Sequence, residues 1–362
     1  MSVQLTCIER VERVIAERIG DLSHCAVICM VSGGSDSTAL AYVMHDLRAQ
    51  GLVNDTVMLH VNHKLRGQDS DDDARFVREL AASLDILLFE CEVDIARMVS
   101  ETHGNMEAIA RQERYRAAGE ALESVCSHLG YSPDDVVICT AHSANDRVEN
   151  FYMRSIVGTG PGGFRSMYYE TYIQGCRVIR PLLEESRDYL RSFIMDRPDV
   201  FKGEHDEYWR EDATNDDTDR FRAFVRHEIV PRAQERNPQL LETLTRTMNL
   251  IADEDDMITS YARSVLIEKV TPLGRMPQEG MRVSPELCKE PLPIQRRVIE
   301  RMLKLMVPAD TRIESASIQA CLSALGCSGK VINIQNNFAV SYNKLGLRVE
   351  PMEAFRARRN KI

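Results

Sequence analysis

The sequence lacks any long apolar run, which argues against a helix that spans a membrane. No stretch of 18 or more apolar residues occurs among its 362 residues, whereas a spanning helix needs about 20. The amino-terminal segment MSVQLTCIERVERVIAERIGDL carries charges where a secretory signal would be apolar. We therefore expect a cytoplasmic protein without a membrane partner.

Close cysteine pairs are also missing. The chain has ten cysteines but no Cys-x-x-Cys pair, so zinc or iron–sulfur sites built on such pairs have no support. Scattered cysteines in a chain of this length are typical of reduced, mostly buried thiols in the cytoplasm.

The chain has no overall excess of positive charge. The net charge is −10; residues 1–205 carry −11 and the remainder +1. Because nucleic-acid-binding domains are usually basic, the net charge of this chain gives no indication of a nucleic-acid partner. Local basic clusters are candidates for phosphate contacts, with a solvated helix face or a frayed terminus as the alternative. These clusters are Arg220, Arg222 and Arg226; Arg296, Arg297, Arg301 and Lys304; and Arg356, Arg358, Arg359 and Lys361.

Short apolar runs alternate with helical patterns in the first half of the chain. Runs joined by helical crossovers predict an α/β fold whose doubly wound, mostly parallel sheet is covered on both faces. The predicted strands cover 25–31, 57–63, 87–93 and 136–142. The first predicted helix follows SGGSDS and continues to residue 49, and the other predicted helices cover 69–84, 106–128 and 145–157.

The pattern changes beyond about residue 205. A polar loop at Asp212–Asp219 precedes mainly helical patterns, and residues 331–349 alternate around the turn-prone NKLG, which predicts a small β-hairpin. We predict a nucleotide-binding catalytic domain at 1–210 and a mainly helical domain with this hairpin at 211–362.

The hexapeptide SGGSDS lies between the first predicted strand and its helix. Its glycines allow a sharp turn close to a ligand, and the start of the helix favours an anion. Asp36 repels phosphate, so we expect it to hold Mg²⁺ that neutralises phosphates. The segment matches neither GxxxxGK[ST] nor GxGxxG. A plain strand-to-helix turn is the alternative.

Three strand ends carry polar side chains that suit ligand binding. They are SGGSDS, His60–Arg66 and His142–Asn150. In doubly wound sheets the ligand lies beyond the carboxyl ends of the strands. We therefore expect the three segments to converge on one site.

Several of these segments resemble known families. SGGSDS resembles the pyrophosphate loop of the N-type ATP pyrophosphatases, or PP-loop superfamily. HVNHKLR at His60–Arg66, the NxExxARxxRY pattern at Asn105–Tyr115 and the HxxNDxxE pattern at His142–Glu149 resemble segments of the tRNA(Ile)-lysidine synthetase family. The resemblance covers roughly residues 24–235 well and is weaker to about 350.

This resemblance implies a ligase that uses ATP and Mg²⁺. Such an enzyme adenylylates C2 of the wobble cytidine in isoleucine tRNA with a CAU anticodon. The ε-amine of free L-lysine then displaces AMP to give lysidine. The resemblance also implies a homodimer, and contacts between the helical domain and the tRNA.

The resemblance assigns roles to individual residues. Asp146 and Glu149 share one helical face, where they would receive the lysine ammonium and assist its deprotonation. Arg111 and Arg114 would stabilise the triphosphate or the charge that develops during the reaction. The alternative for these two arginines is a surface ion pair. The alternative for His142 is a histidine whose hydrogen bonds are satisfied within the core. The implied ATP-binding residues are Ser32, Gly33, Gly34, Ser35, Asp36, Ser37, His60 and Arg111, and the implied catalytic residues are Asp36, Arg114, His142, Asp146 and Glu149.

The sequence departs from the family pattern at four positions. Asn62 and Asn145 stand where the family has Asp, Arg147 replaces Gln, and Asn150 replaces Thr. These changes predict the loss of one carboxylate and a new cation beside the lysine pocket. We hypothesise that Asp146 and Glu149 suffice to balance the ammonium.

Two other functions stay open on the sequence alone. One is another PP-loop enzyme, either a tRNA thiolase or a small-molecule amidating enzyme. The other is a nucleotide- or RNA-binding paralog impaired in catalysis by Asn145 and Arg147. Lysine-dependent pyrophosphate release on tRNA separates all three.

Overall fold

A six-stranded sheet organises the amino-terminal part of the chain in the computed structural model, which describes residues 5–211, 221–308 and 311–359. The strand order is β3-β2-β1-β4-β6-β5. All neighbours are parallel except β5, which pairs antiparallel with β6. The predicted doubly wound, mostly parallel sheet is thus confirmed. Its strands are β1 Ala26–Met30, β2 Asp55–Asn62, β3 Leu87–Glu92, β4 Val136–Cys139, β5 Glu170–Ile173 and β6 Cys176–Ile179.

Helices cover both faces of this sheet because its central strands are apolar on both sides. Along β1, Val27 and Cys29 join one core and Ala26 and Ile28 join the other, as the two-residue repeat of a strand requires. Full burial of a side chain such as Ile28 contributes about 1.5–3 kcal/mol. The helices are α1 Cys7–Val14, α2 Ser35–Ala49, α3 Gln68–Ser83, α4 Ile95–Thr102, α5 Met106–Leu129, α6 Ala144–Val157, α7 Arg187–Met195, α8 Phe221–Phe224, α9 Val230–Arg236 and α10 Leu240–Lys269, with π-helical turns at Ile15–Ile19 and Val225–Ile229.

The chain divides into two compact units, Met1–Asn249 and Leu250–Ile362. This division falls within α10, later than the boundary predicted at 210/211. The difference has a physical cause, since Val225, Val230 and Met248 form an apolar cluster with Val148 of α6. The predicted loop Asp212–Asp219, together with Arg220, lies outside the described residues.

The second unit contains an antiparallel sheet of order β7-β8-β11-β10-β9. The predicted hairpin is β10–β11, in which Asn343 pairs with Gly346. The Pro- and Gly-rich stretch before it supplies β7 and β8, which the sequence pattern did not predict. The elements are β7 Val270–Pro272, β8 Met281–Val283, α11 Leu292–Met306, α12 Ser315–Ala324, β9 Val331–Ile334, β10 Phe338–Asn343, β11 Gly346–Pro351 and α13 Met352–Arg359. Among the described helices of the chain, none has the length and apolarity that a bilayer crossing requires.

Candidate active site

The turn between β1 and α2 depends on glycine at position 33. Gly33 has φ +94°, a conformation that side chains with a Cβ rarely adopt. Its carbonyl oxygen accepts hydrogen bonds from the Arg210 amide at 2.9 Å and the Thr38 hydroxyl at 3.2 Å. A Cβ at position 33 would lie 3.4 Å from Cγ of Arg210. The turn is therefore tightly enclosed on this side.

The start of α2 offers donors to an anion. Gly34 is its N-cap and makes no side-chain capping bond, so the first amides of this 15-residue helix retain donor capacity. The Ser37 hydroxyl accepts from the Ser32 amide at 3.2 Å and donates to the Gly34 carbonyl at 2.9 Å. These bonds fix the turn around the helix terminus and make it suitable for phosphate.

Two adjoining cavities open at this turn, and both are lined by Ser32, Ser37 and Ala141. The larger, of about 560 Å³, also contains Gly34, Ser35 and Asp36. Five arginines on its walls, against four carboxylates, leave an excess of positive charge that suits an anionic ligand. The arginines are Arg66, Arg187, Arg191, Arg210 and Arg226.

The smaller cavity, of about 250 Å³, has mainly apolar walls with a few polar groups. This lining is suited to a flat heterocycle. Together the two cavities match a nucleotide, with its base in the smaller and its phosphates in the larger. The apolar and aromatic walls are Met30, Val31, Leu59, Val61, Tyr115 and Ala141, and the polar residues are Ser32, Ser37, His63, Arg114, Thr140 and His142.

Asp36 lies where the turn meets the end of β4. One of its carboxylate oxygens accepts from the Ser143 hydroxyl at 3.1 Å and from Nε of Arg187 at 3.3 Å, and the other accepts from the Ser35 hydroxyl at 3.1 Å. Burial raises the pKa of the Asp36 carboxyl above its usual value; Arg187 opposes this rise, and Asp146 adds to it. The same Ser143 hydroxyl lies 3.2 Å from Asp146. Asp36 and Asp146 are thus brought together.

Asp146 and Glu149 share one face of α6, as their spacing predicts, but arginines already occupy them. Arg222 donates to Asp146 at 2.7 Å and to Glu149 at 2.8 Å, and Arg226 donates to Glu149 at 2.6 and 3.2 Å. Burial raises the pKa of Asp146, but the Arg222 guanidinium, together with further contacts that include the Ser143 amide and Arg187, holds the pKa below its usual value. Neither carboxylate lines the two cavities.

The histidines differ in their surroundings. Nδ1 of His142 lies 2.9 Å from the Thr140 hydroxyl, and burial lowers the pKa of His142 to about 4, so the ring is neutral at pH 7. His60 donates through Nδ1 to the Val31 carbonyl at 2.8 Å and lines neither cavity. In this structure His60 therefore orients the end of β1.

The two candidate arginines of α5 also differ. Arg114 lines the smaller cavity. The Arg111 guanidinium lies 5.1 Å from the ring centroid of Tyr115 and lines neither cavity. The α5 motif thus brings one of its two arginines to the cavity wall.

Sequence reasoning missed several site residues. Arg187 and Arg191, four apart in α7, and Arg210 line the larger cavity, but nothing local in the sequence assigns them there. Arg222 and Arg226 belong to the first basic cluster, which the sequence offered as a candidate for phosphate contacts, with a solvated helix face or a frayed terminus as the alternative. In the structure both guanidiniums pair with the α6 carboxylates.

The departures from the family pattern have local explanations. Arg147, predicted to place a cation beside the lysine pocket, is fully buried and donates to the Tyr169 hydroxyl at 3.1 Å and the Asn249 side chain at 2.9 Å. That prediction is therefore wrong. The Asn145 side chain accepts from the Arg187 amide at 2.9 Å, and Asn150 donates to the Ser166 carbonyl at 3.0 Å.

The side chain of Asn62, another departure from the family pattern, is also held by local hydrogen bonds. Its side-chain oxygen accepts from the Lys64 amide at 2.9 Å, and its side-chain nitrogen donates to Asp71 at 3.0 Å. The amide uses both its donor and its acceptor in these contacts. An aspartate at this position would place a second carboxylate against Asp71.

Comparison with known proteins agrees with this geometry. The family model described as the PP-loop domain matches residues 7–233. A tRNA(Ile)-lysidine synthase of Porphyromonas gingivalis is 33% identical over 251 residues, which cover 68% of this chain and 49% of that protein. The synthase of Thermus thermophilus is 32% identical over 279 residues (77% and 48%), and that of Clostridium acetobutylicum is 27% identical over 337 residues (91% and 67%).

The chain spans about half the length of the first two relatives. The family match, in contrast, covers well over half of this chain and includes the glycine turn, the α6 carboxylates Asp146 and Glu149, and the two arginines that contact them. The chain therefore belongs to the PP-loop domain family.

Proposed function

We propose that this protein joins the ε-amine of free L-lysine to C2 of the wobble cytidine in isoleucine tRNA with a CAU anticodon, using ATP, and so forms lysidine. The observation that carries this proposal is the convergence of an anion-binding turn, Asp36 and the Asp146–Glu149 pair at one sheet edge. An amine site beside a nucleotide site is what a ligase requires. The similarity to named lysidine synthases supports the choice of substrate.

ATP fits the two cavities with its phosphates at the start of α2. Among the described residues no group of three His, Cys, Asp or Glu side chains forms a metal site. Mg²⁺ usually binds through one or two carboxylates and the phosphates themselves, and Asp36 is suitably placed to supply one. The ion would offset phosphate charge when bound.

The reaction has two steps. The O2 atom of cytosine attacks the α-phosphorus and pyrophosphate leaves, which joins AMP to the base. The lysine nitrogen then forms a bond to C2, the C2–O bond breaks, and AMP leaves with that oxygen. The arginines of the protein stabilise the negative charge that develops on the phosphates.

The acidic residues would bind and orient the amine. The surroundings of Asp146 hold its pKa below the usual value, so Asp146 is ionised and suited to bind the lysine ammonium. The ammonium must lose one proton before its nitrogen can attack, because only the neutral amine has a free electron pair. The nitrogen must lose a second proton after it has bonded to C2, and that proton is acidic enough for a weak base. The neutral His142 is a candidate for this second role.

The surroundings of Arg147 and Asn145 favour an active enzyme over an impaired paralog. The Arg147 charge is buried against Tyr169 and Asn249 and does not line either cavity. Asn145 is used to orient the start of α7. Neither replacement removes Asp146 or Glu149 from the site.

The test is incubation of the full chain with unmodified isoleucine tRNA, ATP, Mg²⁺ and labelled lysine, followed by nucleoside analysis. We expect labelled lysidine and lysine-dependent pyrophosphate release. A transcript with uridine at the wobble position is the control and should remain unlabelled. Sulfur incorporation, or pyrophosphate release with a different acceptor, would indicate another PP-loop enzyme.

The same assay tests the departure at position 145. We expect the wild type to be active and Asn145→Asp to change turnover by less than about threefold, because either side chain can accept from the Arg187 amide. An inactive wild type that Asn145→Asp rescues would contradict the sufficiency of Asp146 and Glu149.

A further inference from the structure

We propose that Arg222 and Arg226 act as an internal cation that occupies the amine site until a nucleotide binds. This inference rests on the function proposed above and adds an order of binding to it. In the nucleotide-free protein the guanidiniums compete with the incoming ammonium for Asp146 and Glu149. Nucleotide phosphates would then draw Arg226 away and open the site.

The first support is that arginines already pair with both carboxylates. Glu149 is only 2% exposed, and both of its oxygens accept bonds from arginine. Asp146 is 8% exposed; one of its oxygens accepts from Arg222 and the other from the Ser143 amide and hydroxyl. An ammonium has no access to these oxygens unless a guanidinium leaves.

The second support is the position of Arg226 between the Glu149 carboxylate and the cavity proposed for the phosphates. On one side it bonds Glu149, and on the other it lines the 560 Å³ cavity that contains the start of α2. A triphosphate in that cavity would offer Arg226 a new anionic partner with several acceptor oxygens. Arg226 can therefore exchange one anion for another.

The other arginines of this cavity each have a carboxylate partner that lines it, although Arg187 also lies 3.7 Å from Asp146 and Arg210 lies 3.3 Å from Glu207. Arg187 pairs with Asp36 at 3.3 Å, Arg191 pairs with Glu211 at 3.0 Å, and Arg66 and Arg210 both pair with Asp73. The partner of Arg226 differs because Glu149 lies outside the cavity lining. Movement of Arg226 away from Glu149 would thus transfer positive charge from the amine site to the phosphate site.

Burial makes this exchange cooperative. An unpaired carboxylate that is almost fully buried is strongly unfavourable, so departure of arginine and arrival of ammonium are linked. Linkage is reciprocal: if nucleotide tightens lysine binding, lysine tightens nucleotide binding by the same factor. Such coupling disfavours the binding of lysine before ATP.

The experiment is calorimetric titration of L-lysine into the full chain, with and without α,β-methylene-ATP and Mg²⁺. For the wild type we expect the analogue to tighten lysine binding on the order of tenfold or more. For Arg226→Gln we expect nucleotide-free lysine affinity to rise toward the value of the nucleotide-bound wild type, and the coupling to shrink. Arg226→Lys keeps the charge and should retain part of it.

The matched control is Arg232→Gln. Arg232 is exposed on α9 and pairs only locally, with Glu228 at 2.7 Å, so it should show wild-type coupling. Melting temperatures and nucleotide binding of each variant establish that it is folded. Wild-type coupling in folded Arg226→Gln, or weaker lysine binding with and without nucleotide, would overturn the inference and leave the proposed function standing. Absence of lysine binding in every protein would overturn both.

Discussion

At the scale of single residues, the site depends on side chains and backbone held in conformations that are unfavourable elsewhere. Gly33 adopts a positive φ, Asp36 is buried close to Asp146, and His142 is held neutral. Each of these places a donor, acceptor or charge near the cavities. Substitution at such positions should therefore separate stability from ligand binding.

Gly33→Ala should weaken both stability and nucleotide binding. The added Cβ strains a residue at φ +94° and lies 3.4 Å from Arg210, so we expect a loss of about 1–2 kcal/mol in the free energy of unfolding and at least about tenfold weaker nucleotide binding. Denaturant titration and calorimetry measure the two effects.

Gly130→Ala is the matched control for this substitution. Gly130 ends α5 at φ +79° with nothing within 4 Å of an added Cβ, so it carries comparable backbone strain away from the turn. We expect a similar loss of stability and unchanged nucleotide affinity. Equal nucleotide affinities in the two variants would contradict the assigned role of the turn.

His142 should make the protein less stable in acid. Burial lowers the folded-state pKa to about 4 from an ordinary 6.5, so between these values the unfolded chain binds a proton that the native state excludes. The contribution is present above pH 6.5 and is lost as the pH falls toward 4, on the order of 2–3 kcal/mol. Measured from pH 7 to 4, the free energy of unfolding of the wild type should fall relative to that of His142→Gln.

The exposed His128, at the end of α5, provides the comparison. His128→Gln is the same substitution at an exposed site and is measured over the same pH range. A constant difference between the wild type and His142→Gln over this range would show that His142 is not held neutral in the native state.

At the scale of elements, α6 presents two chemically distinct faces. One carries Asp146 and Glu149 toward Arg222 and Arg226. The other carries Arg147 into a buried network in which Glu184 accepts from Tyr169 at 2.7 Å and from Asn249 at 2.8 Å. The first face carries the carboxylates of the candidate site, and the second face packs the helix against its neighbours through buried hydrogen bonds.

Arg147→Gln should therefore act on stability and spare the site. Loss of its hydrogen bonds to Tyr169 and Asn249 should lower the free energy of unfolding by about 1–3 kcal/mol, with the KM for ATP and lysine nearly unchanged in the folded fraction. Arg154→Gln, on the exposed part of the same helix, should change neither. Loss of turnover at full stability would place Arg147 in the chemistry instead.

The elements that the sequence predicted well are those with local signals. The strand β1, the turn at SGGSDS and the helix α2 follow from an apolar run, two glycines and an amphipathic repeat in succession. The short hairpin β5–β6 has four residues in each strand and gives little periodicity. The partners of Arg147 and Arg222 lie between 18 and 102 residues away in the chain, so no local pattern could identify them.

At the scale of the whole molecule, the basic residues of the second unit are the proposed contacts for tRNA phosphates. Some have partners within the unit: Arg297 pairs with Asp255, and Arg358 with Glu350. Arg356 and Arg359 of α13 remain exposed, although the Arg359 guanidinium also lies 5.7 Å from the Phe355 ring. These two are the better candidates because their charges face water.

Salt dependence distinguishes phosphate contacts from solvated side chains. The logarithm of the association constant for tRNA should fall linearly with the logarithm of the salt concentration, because each phosphate that the protein neutralises releases counterions. Arg356→Gln combined with Arg359→Gln should make the slope shallower by about one for each phosphate that the variant no longer neutralises, while turnover at saturating tRNA is retained. Lys289→Gln, which removes an exposed charge paired with Glu286 at 2.6 Å, should leave the slope unchanged. If the double variant kept the wild-type slope, the tRNA-binding residues would have to be sought on other surfaces, since a protein that neutralises fewer phosphates must release fewer counterions.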